Sequence, residues 1–153
     1  MINIIKATDR EFDQVISTRL EMLKVVNNLP ENAVFSQDFI NSTKEYFKSP
    51  CQTTVLSVHE NEVVGCATIC YVTVMPTFDH PSGKRAHIMN VYTRRSYRKQ
   101  GIAFRMMGML IEEAKQKGVS EISLDATESG RPLYKKCGFV NTEEGMVLTI
   151  KSH

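Results

Sequence analysis

Cysteine is scarce in this chain of 153 residues, and its four cysteines form no C-x-x-C motif. No cysteine and histidine stand at the spacing of a zinc site, so the sequence predicts a protein without a bound metal. Cys66 and Cys70 lie in a run of β-branched residues, where a small reduced thiol packs easily. Because reduced thiols are typical of the cytoplasm, the sequence predicts a cytoplasmic protein.

Long apolar runs are also missing, and no stretch of the sequence is apolar for long enough to cross a membrane. The 19 Lys and Arg nearly balance the 17 Asp and Glu, so the net charge of +2 gives no reason to expect nucleic acid as a partner. Residues 1–6 predict a strand rather than a signal peptide. A hydrophobic fraction of 42% and the absence of a linker predict one domain over residues 1–153.

The sequence does contain a regular succession of strand and helix patterns. Strands are predicted over residues 2–7, 53–59, 62–75, 86–93 and 121–126, with a closing strand or hairpin over 139–150. Helices are predicted to begin at Thr8 or Asp9, at Ser36, at residue 102 and at residue 129. The second and third strands meet at Glu60–Asn61 and predict a hairpin. This order predicts an α+β domain whose helices cover a central sheet.

One turn, Arg98–Ala103, carries the strongest functional signal. It is basic, contains Gly101, and connects the strand 86–93 to the helix 102–117. The first N–H groups of a helix have no partner within it, and the helix dipole adds partial positive charge there. Since Gly101 lets the backbone approach a ligand closely, the turn predicts an anion site able to hold a pyrophosphate.

Other phosphate motifs fit this turn poorly. A Walker loop needs Gly-Lys-Ser/Thr, whereas Gly101 is followed by Ile102 and Ala103. A dinucleotide fingerprint needs three spaced glycines early in a parallel unit. A basic interaction surface is a further alternative, but the cluster lacks the interleaved aromatic residues of a nucleic-acid platform. The pattern that remains is Arg-x-x-Gly-x-Ala.

This pattern resembles the pyrophosphate-binding turn of the GNAT superfamily of N-acetyltransferases, Gln/Arg-x-x-Gly-x-Gly/Ala. A second segment, Leu133–Phe139, resembles the Leu-Tyr-x-x-x-Gly-Phe motif of the same family. The order of elements also matches the family over essentially the whole chain. The resemblance implies a central mixed, mostly antiparallel sheet of six to seven strands. That sheet would be splayed between its fourth and fifth strands and flanked by about four helices.

The resemblance implies an enzyme that moves the acetyl group of acetyl-CoA to a primary amine of a small molecule or peptide. The fourth strand would bind the pantetheine arm as an added strand does, and the turn would bind the pyrophosphate. Many family members have an Asn where this chain has Thr127, and a threonine can cap a helix as well. The residues assigned to acetyl-CoA are Val91, Tyr92, Thr93, Arg98, Lys99, Gln100, Gly101, Ile102, Ala103 and Thr127.

The resemblance also suggests catalytic roles. Tyr134 matches the family tyrosine that protonates the departing CoA thiolate as a general acid. Glu128 is a candidate base, and Asp125 and Asn90 are candidates for contact with the acceptor. Strand alternation predicts that Asn90 faces away from Met89.

The sequence leaves the 3′-phosphate contacts, the choice between enzyme and sensor, and the oligomeric state open. Arg94, Arg95, Lys99 or Arg105 are candidates for the 3′-phosphate of CoA. A sensor that binds acetyl-CoA without turnover is the alternative to an enzyme, and a homodimer is frequent in the family. The sequence does not identify the amine acceptor.

Overall fold

A computed structural model, which describes residues 1–151, has a five-stranded sheet at its centre. Spatial order follows chain order, β1-β2-β3-β4-β5. The first three pairings are antiparallel and the pairing of β4 with β5 is parallel, which confirms the predicted mixed, mostly antiparallel sheet. The strands are β1 (Asn3–Lys6), β2 (Gln52–His59), β3 (Glu62–Thr73), β4 (Lys84–Thr93) and β5 (Glu121–Leu124).

Four α-helices surround this sheet, as predicted. The Ser36 side chain caps the second helix by accepting a hydrogen bond from the Phe39 N–H at 3.2 Å. Within residues 1–151 none of the helices has the length and hydrophobicity to cross a membrane. The helices are α1 (Phe12–Val26), α2 (Gln37–Lys48), α3 (Ile102–Gln116) and α4 (Arg131–Lys136).

Each face of the sheet has its own core. On one face, α3 packs Met106, Met107 and Leu110, all fully buried, against inward-facing residues of β2, β3 and β4. On the other face, Val15 of α1 and Leu56 of β2 belong to a smaller cluster. The successive residues of β2 therefore alternate between the two cores, as strand geometry requires.

The hairpin predicted between the second and third strands is confirmed. β2 ends at His59 and β3 begins at Glu62, and His59 pairs with Glu62. Glu60 and Asn61, the two turn residues, have φ angles of 50° and 65°. A two-residue turn with two positive φ angles matches the twist of the flanking strands.

The number of strands was predicted wrongly. The sheet has five strands and not six to seven, because residues 139–150 form neither the predicted strand nor the predicted hairpin. The segment after Phe139 is exposed throughout residues 140–150, and it adds no strand to the sheet. Its apolar residues suggested a strand by composition, but no described element packs over them. The exposed apolar side chains are Val140, Met146, Val147, Leu148 and Ile150.

A bulge interrupts β4 at Asn90. The register with β3 shifts between Cys66 and Thr68, so that two residues of β4 lie opposite one residue of β3. Asn90 has a φ of 62°, a left-handed conformation that asparagine tolerates better than most residues. In a regular strand, side chains point alternately to the two faces of the sheet. The extra residue at the bulge interrupts this alternation at Asn90.

The same strand is only partly paired on its other side. β4 runs from Lys84 to Thr93, yet its parallel pairing with β5 ends where Ile88 meets Leu124. The chain leaves β5 at this point. The remaining part of β4, residues 89–93, has no strand of the described chain beside it on that side. The sheet is therefore open between β4 and β5, as the predicted splay requires.

Replacing Gly65 by alanine tests the close packing behind β4. An added Cβ would lie 2.6 Å from the Ser57 hydroxyl and 2.6 Å from the Tyr92 carbonyl oxygen, and the carbonyl cannot move without the strand. We expect the free energy of unfolding to fall by about 1–3 kcal/mol. Gly108→Ala in α3 is the control, since an added Cβ there meets nothing within 4 Å. That variant should gain roughly 0.5–1 kcal/mol in urea unfolding. Equal free energies of unfolding for the two variants would contradict the close packing at Gly65.

Candidate active site

The open edge of β4 ends at a buried hydroxyl. Thr93 Oγ1 is buried and has no hydrogen-bond partner among residues 1–151. The Thr93 carbonyl oxygen accepts a hydrogen bond of 2.8 Å from Arg98 Nε, which ties the end of the strand to the following turn. Buried polar atoms are usually paired, so an unpaired one beside an open strand edge suits a ligand that completes it.

The turn Arg98–Ala103 presents uncapped backbone N–H groups. Lys99 and Gly101 adopt positive φ angles of 63° and 78°, and Gly101 is the N-cap of α3. No side chain caps this helix, and its first turn contains no acidic residue. The N-terminus of α3 therefore keeps both its N–H donors and its partial positive charge for a ligand.

Two of the cations predicted for the 3′-phosphate have protein partners. Arg94 forms ion pairs of 2.9 Å with Glu21 and 2.5 Å with Glu62. Hydrogen bonding to Glu21 raises the pKa of Arg94. Arg105 donates a hydrogen bond of 3.1 Å to the Ile2 carbonyl oxygen. Arg95 and Lys99, by contrast, are exposed.

The side chain of Tyr92 belongs to the same ion-pair network. Its hydroxyl donates a hydrogen bond of 2.7 Å to Glu21 Oε2, and burial together with this bond raises the pKa of Tyr92 to about 12. Burial disfavours the charged form of Glu21, but hydrogen bonds from Arg94 and Tyr92 outweigh it and lower the pKa of Glu21. Sequence reasoning missed this link between α1 and β4, because its members are far apart in the chain.

Tyr134 lies in α4 and packs against the core on the α3 side, together with Val91 and Leu124. Its ring makes an edge contact with Phe139 at 6.2 Å between ring centroids. Gly130 lies beneath the ring, since a Cβ added there would be 2.9 Å from Tyr134 Cε2. Burial raises the pKa of the Tyr134 phenol, which therefore keeps its proton at neutral pH.

The other residues predicted after β5 lie at the surface. The Thr127 hydroxyl accepts a hydrogen bond of 3.2 Å from the Gly130 N–H and so caps the turn that leads into α4. Glu128 and Asp125 have fully exposed side chains. The Glu128 carboxylate lies 3.6 Å from Arg131 Nε, and the Asp125 carboxylate lies 3.8 Å from His87 Nε2.

A cavity of about 280 Å³ lies between α1, α2 and the sheet, and Met89 and Asn90 both line it. The two adjacent residues reach the same cavity because of the bulge, so the predicted opposite orientation of Asn90 and Met89 is wrong. Contact of Asn90 with the acceptor stays a prediction. Beside Asn90 lies Arg19, whose Nη1 donates a hydrogen bond of 3.3 Å to Asn90 Oδ1. The cavity residues are Arg19, Phe39, Ser42, Thr43, Tyr46, Phe47, Thr68, Cys70, Met89 and Asn90.

Arg19 is the cavity residue that sequence reasoning missed, although the pattern of α1 contains the signal. Arg19 follows Val15 by four residues and Ile16 by three, and both of those residues are buried. It therefore lies on the buried face of the helix, where a charged residue needs an explanation. A larger groove of about 580 Å³ lies between β1 and α3, but its lining includes no residue of β4 or of α2.

Comparison of the sequence with models of protein families shows which family the chain belongs to. The model of the acetyltransferase (GNAT) family matches residues 20–139, which include β2 to β5, α2 to α4 and the turn Arg98–Ala103. The chain belongs to the GNAT family. Both segments that carry the sequence resemblance, the turn and Leu133–Phe139, fall within the match.

Solved and curated relatives agree with this assignment. The crystal structure of a predicted acetyltransferase with acetyl-CoA, from Clostridium acetobutylicum, is 29% identical and superposes with a TM-score of 0.85 over 97% of this GNAT chain and 96% of that one. A probable glucosamine 6-phosphate N-acetyltransferase 2 from Oryza sativa subsp. japonica is 37% identical over 68 residues, 44% of this chain and 40% of that protein. The glucosamine 6-phosphate N-acetyltransferase of Trypanosoma brucei brucei is 31% identical over 88 residues, 58% of each. The chain thus matches about half the length of these two curated relatives.

Replacing Gly101 by alanine tests the turn of this GNAT chain. Its φ of 78° disfavours a Cβ, and relief of that strain would move the N–H groups at the start of α3. We expect the dissociation constant for acetyl-CoA, measured by calorimetry, to rise about tenfold, which corresponds to about 1.4 kcal/mol.

Gly118→Ala is the matched control for this substitution. Gly118 has the same φ of 78° but follows the C-terminal end of α3. It should lose similar stability without losing affinity for acetyl-CoA. An equal loss of affinity in both variants would show that backbone strain in general, and not the geometry of the turn, weakens the binding of acetyl-CoA.

Proposed function

We propose that this chain is an N-acetyltransferase that moves the acetyl group of acetyl-CoA to a primary amine of a small molecule or peptide. The observation that carries the proposal is the open edge of β4 at residues 89–93, which the turn Arg98–Ala103 connects to the uncapped N-terminus of α3. The family match and the Clostridium relative, described with acetyl-CoA, support it.

Acetyl-CoA fits this arrangement as an extended substrate. Its pantetheine arm carries amide groups that can bond to the β4 backbone at Val91 and Thr93 in the place that a strand would occupy. Its pyrophosphate suits the N–H groups of Arg98–Ala103, and the exposed cations Arg95 and Lys99 suit its 3′-phosphate. Tyr92 takes part through its backbone, since its side chain is bonded to Glu21.

The reaction we propose is direct acyl transfer. The lone pair of a neutral amine attacks the thioester carbonyl carbon, so that a C–N bond forms and the C–S bond breaks. A backbone N–H near Val91 stabilises the developing negative charge on the carbonyl oxygen. The sulfur leaves with the bonding electron pair and takes a proton from the Tyr134 hydroxyl. The amine gives up its own proton to solvent through Glu128, the candidate base, and the Tyr134 phenolate regains a proton from solvent.

Burial raises the pKa of Tyr134, so its hydroxyl carries the proton that a general acid must donate. A phenol normally loses its proton near pH 10, and a raised pKa keeps the acidic form present at still higher pH. A fall in rate above neutral pH through loss of this acid is therefore expected only in strongly alkaline solution. Protonation of the acceptor amine, by contrast, lowers the rate as the pH falls.

Tyr134→Phe removes the proposed acid and keeps the ring that packs on the core. We expect kcat for thiol release from acetyl-CoA, measured with a panel of amines, to fall about 10²- to 10⁴-fold. The dissociation constant for acetyl-CoA should stay unchanged. Tight binding of acetyl-CoA by the unaltered protein, with no turnover of any amine, would instead make the chain a sensor.

Gly130→Ala tests the position of Tyr134 without touching its hydroxyl. The new methyl group would displace the ring, since its distance of 2.9 Å to Cε2 is too short. Because a displacement of about 1 Å at a reacting group can cost 10²-fold in rate, we expect kcat to fall by about 10- to 100-fold.

Gly145→Ala is the control, as an added Cβ there meets nothing within 4 Å. It should leave kcat unchanged. Full activity of Gly130→Ala would contradict the role of Tyr134.

A further inference from the structure

The cavity beside the β4 bulge has one charged residue in an otherwise uncharged lining. Its walls are aromatic and aliphatic at Phe39, Tyr46, Phe47 and Met89, and polar at hydroxyl groups and Asn90. Arg19 supplies its positive charge, and no Asp or Glu lines it. Cavities of this kind bind ligands through a few polar groups placed in an apolar surface.

The guanidinium of Arg19 has no carboxylate partner among residues 1–151. Its Nη1 donates to Asn90 Oδ1 at 3.3 Å and lies 3.7 Å from the Met22 sulfur, while Nε and Nη2 donate no hydrogen bond to any of residues 1–151. Three of its five N–H donors are therefore available. Burial lowers the pKa of Arg19 and outweighs the opposing electrostatic effect of Cys66.

Asn90 and its neighbours hold this guanidinium in place. The Asn90 amide nitrogen donates to Thr68 Oγ1 at 3.2 Å, and Thr68 is in turn hydrogen-bonded to Thr54 at 2.8 Å. The Cys66 thiol lies 3.3 Å from the Asn90 carbonyl oxygen. The amide oxygen of Asn90 is thereby directed at Arg19, and the planar donor group of Arg19 is fixed beside the cavity.

We infer that the acceptor is a small amine that carries an anionic group, phosphate or carboxylate, and that Arg19 binds this group in the cavity. The inference rests on the proposed transferase function and specifies its second substrate. A guanidinium binds phosphate and carboxylate oxygens through two parallel hydrogen bonds, so the available Nε and Nη2 donors suit this role. The volume of about 280 Å³ suits a molecule of monosaccharide size and leaves little room for a peptide.

The location of the cavity agrees with an acceptor site. Met89 and Asn90 line the cavity, and they are the first residues of β4 beyond its last pair with β5, Ile88 and Leu124. An amine held by an anion on Arg19 therefore lies next to the open edge proposed for the thioester. A cationic acceptor without an anionic group would meet an uncompensated positive charge there.

Matched acceptors test the inference through the specificity constant. Glucosamine 6-phosphate is compared with glucosamine, and an amino acid with its amide, at saturating acetyl-CoA. We expect the unaltered protein to prefer the anionic member of at least one pair by about 10- to 100-fold. Arg19→Gln should remove this preference, because kcat/KM falls about 10- to 100-fold more for the anionic amine than for its neutral partner.

Arg19→Lys separates charge from a general structural effect. It keeps the positive charge but lacks the two parallel donors, so it should retain part of the preference that Arg19→Gln loses. Equal use of both members of each pair by the unaltered protein would overturn the inference, as would a preference that persists in Arg19→Gln.

Binding measured without turnover keeps this inference separate from the proposed function. Glucosamine 6-phosphate and inorganic phosphate are titrated into the unaltered protein and Arg19→Gln, and chemical shifts of the cavity residues are followed by NMR. Binding that is lost in Arg19→Gln supports the anion site even if no amine is acetylated. Acetylation of neutral amines with no Arg19-dependent binding supports the proposed function and overturns the anion site.

Discussion

The candidate site exists because β4 loses its pairing with β5 halfway along its length. Up to Ile88 the strand is bonded on both sides, and beyond it β3 is its only neighbouring strand among residues 1–151. A backbone edge inside a sheet normally has a strand as its partner, because unpaired N–H and C=O groups are costly away from water. This edge instead is available to an extended ligand. The buried Thr93 hydroxyl at its end also lacks a hydrogen-bond partner in the described part of the chain.

Two residues with left-handed backbone conformations shape the surroundings of this edge. The left-handed Gly101 begins α3 without a side-chain cap, which leaves N–H donors for an anion. The left-handed Asn90 inserts one residue into β4, at a cost of about 1–3 kcal/mol for a residue that is not glycine. Hydrogen bonds with Arg19 and Thr68 hold Asn90 in this conformation. The strained residue is therefore also one that shapes the cavity.

The fold was largely predictable because most of its helices, strands and turns are determined by local sequence patterns. The turn Glu60–Asn61, the cap at Ser36 and the periodicity of α3 depend on neighbours in sequence, and all appear in the structure. Residues 139–150 were wrongly assigned to the sheet, because composition shows what a segment can form and not whether a partner lies beside it. The orientation of Asn90 was wrong for a similar reason, since a bulge depends on pairing with β3. Arg19 could have been found from its position on the buried face of α1, but its lack of an acidic partner is visible only in three dimensions.

The bulge at Asn90 has a geometric consequence for any reaction at this site. Val91 packs on the α3 side of the sheet, whereas Met89 and Asn90 line a cavity on the α1 and α2 side. Two ligands, one bound along β4 and α3 and the other in the cavity, would approach from opposite faces of the sheet. The reacting groups of two such ligands would then have to meet in the gap beyond Ile88 and Leu124, where the pairing of β4 with β5 has ended.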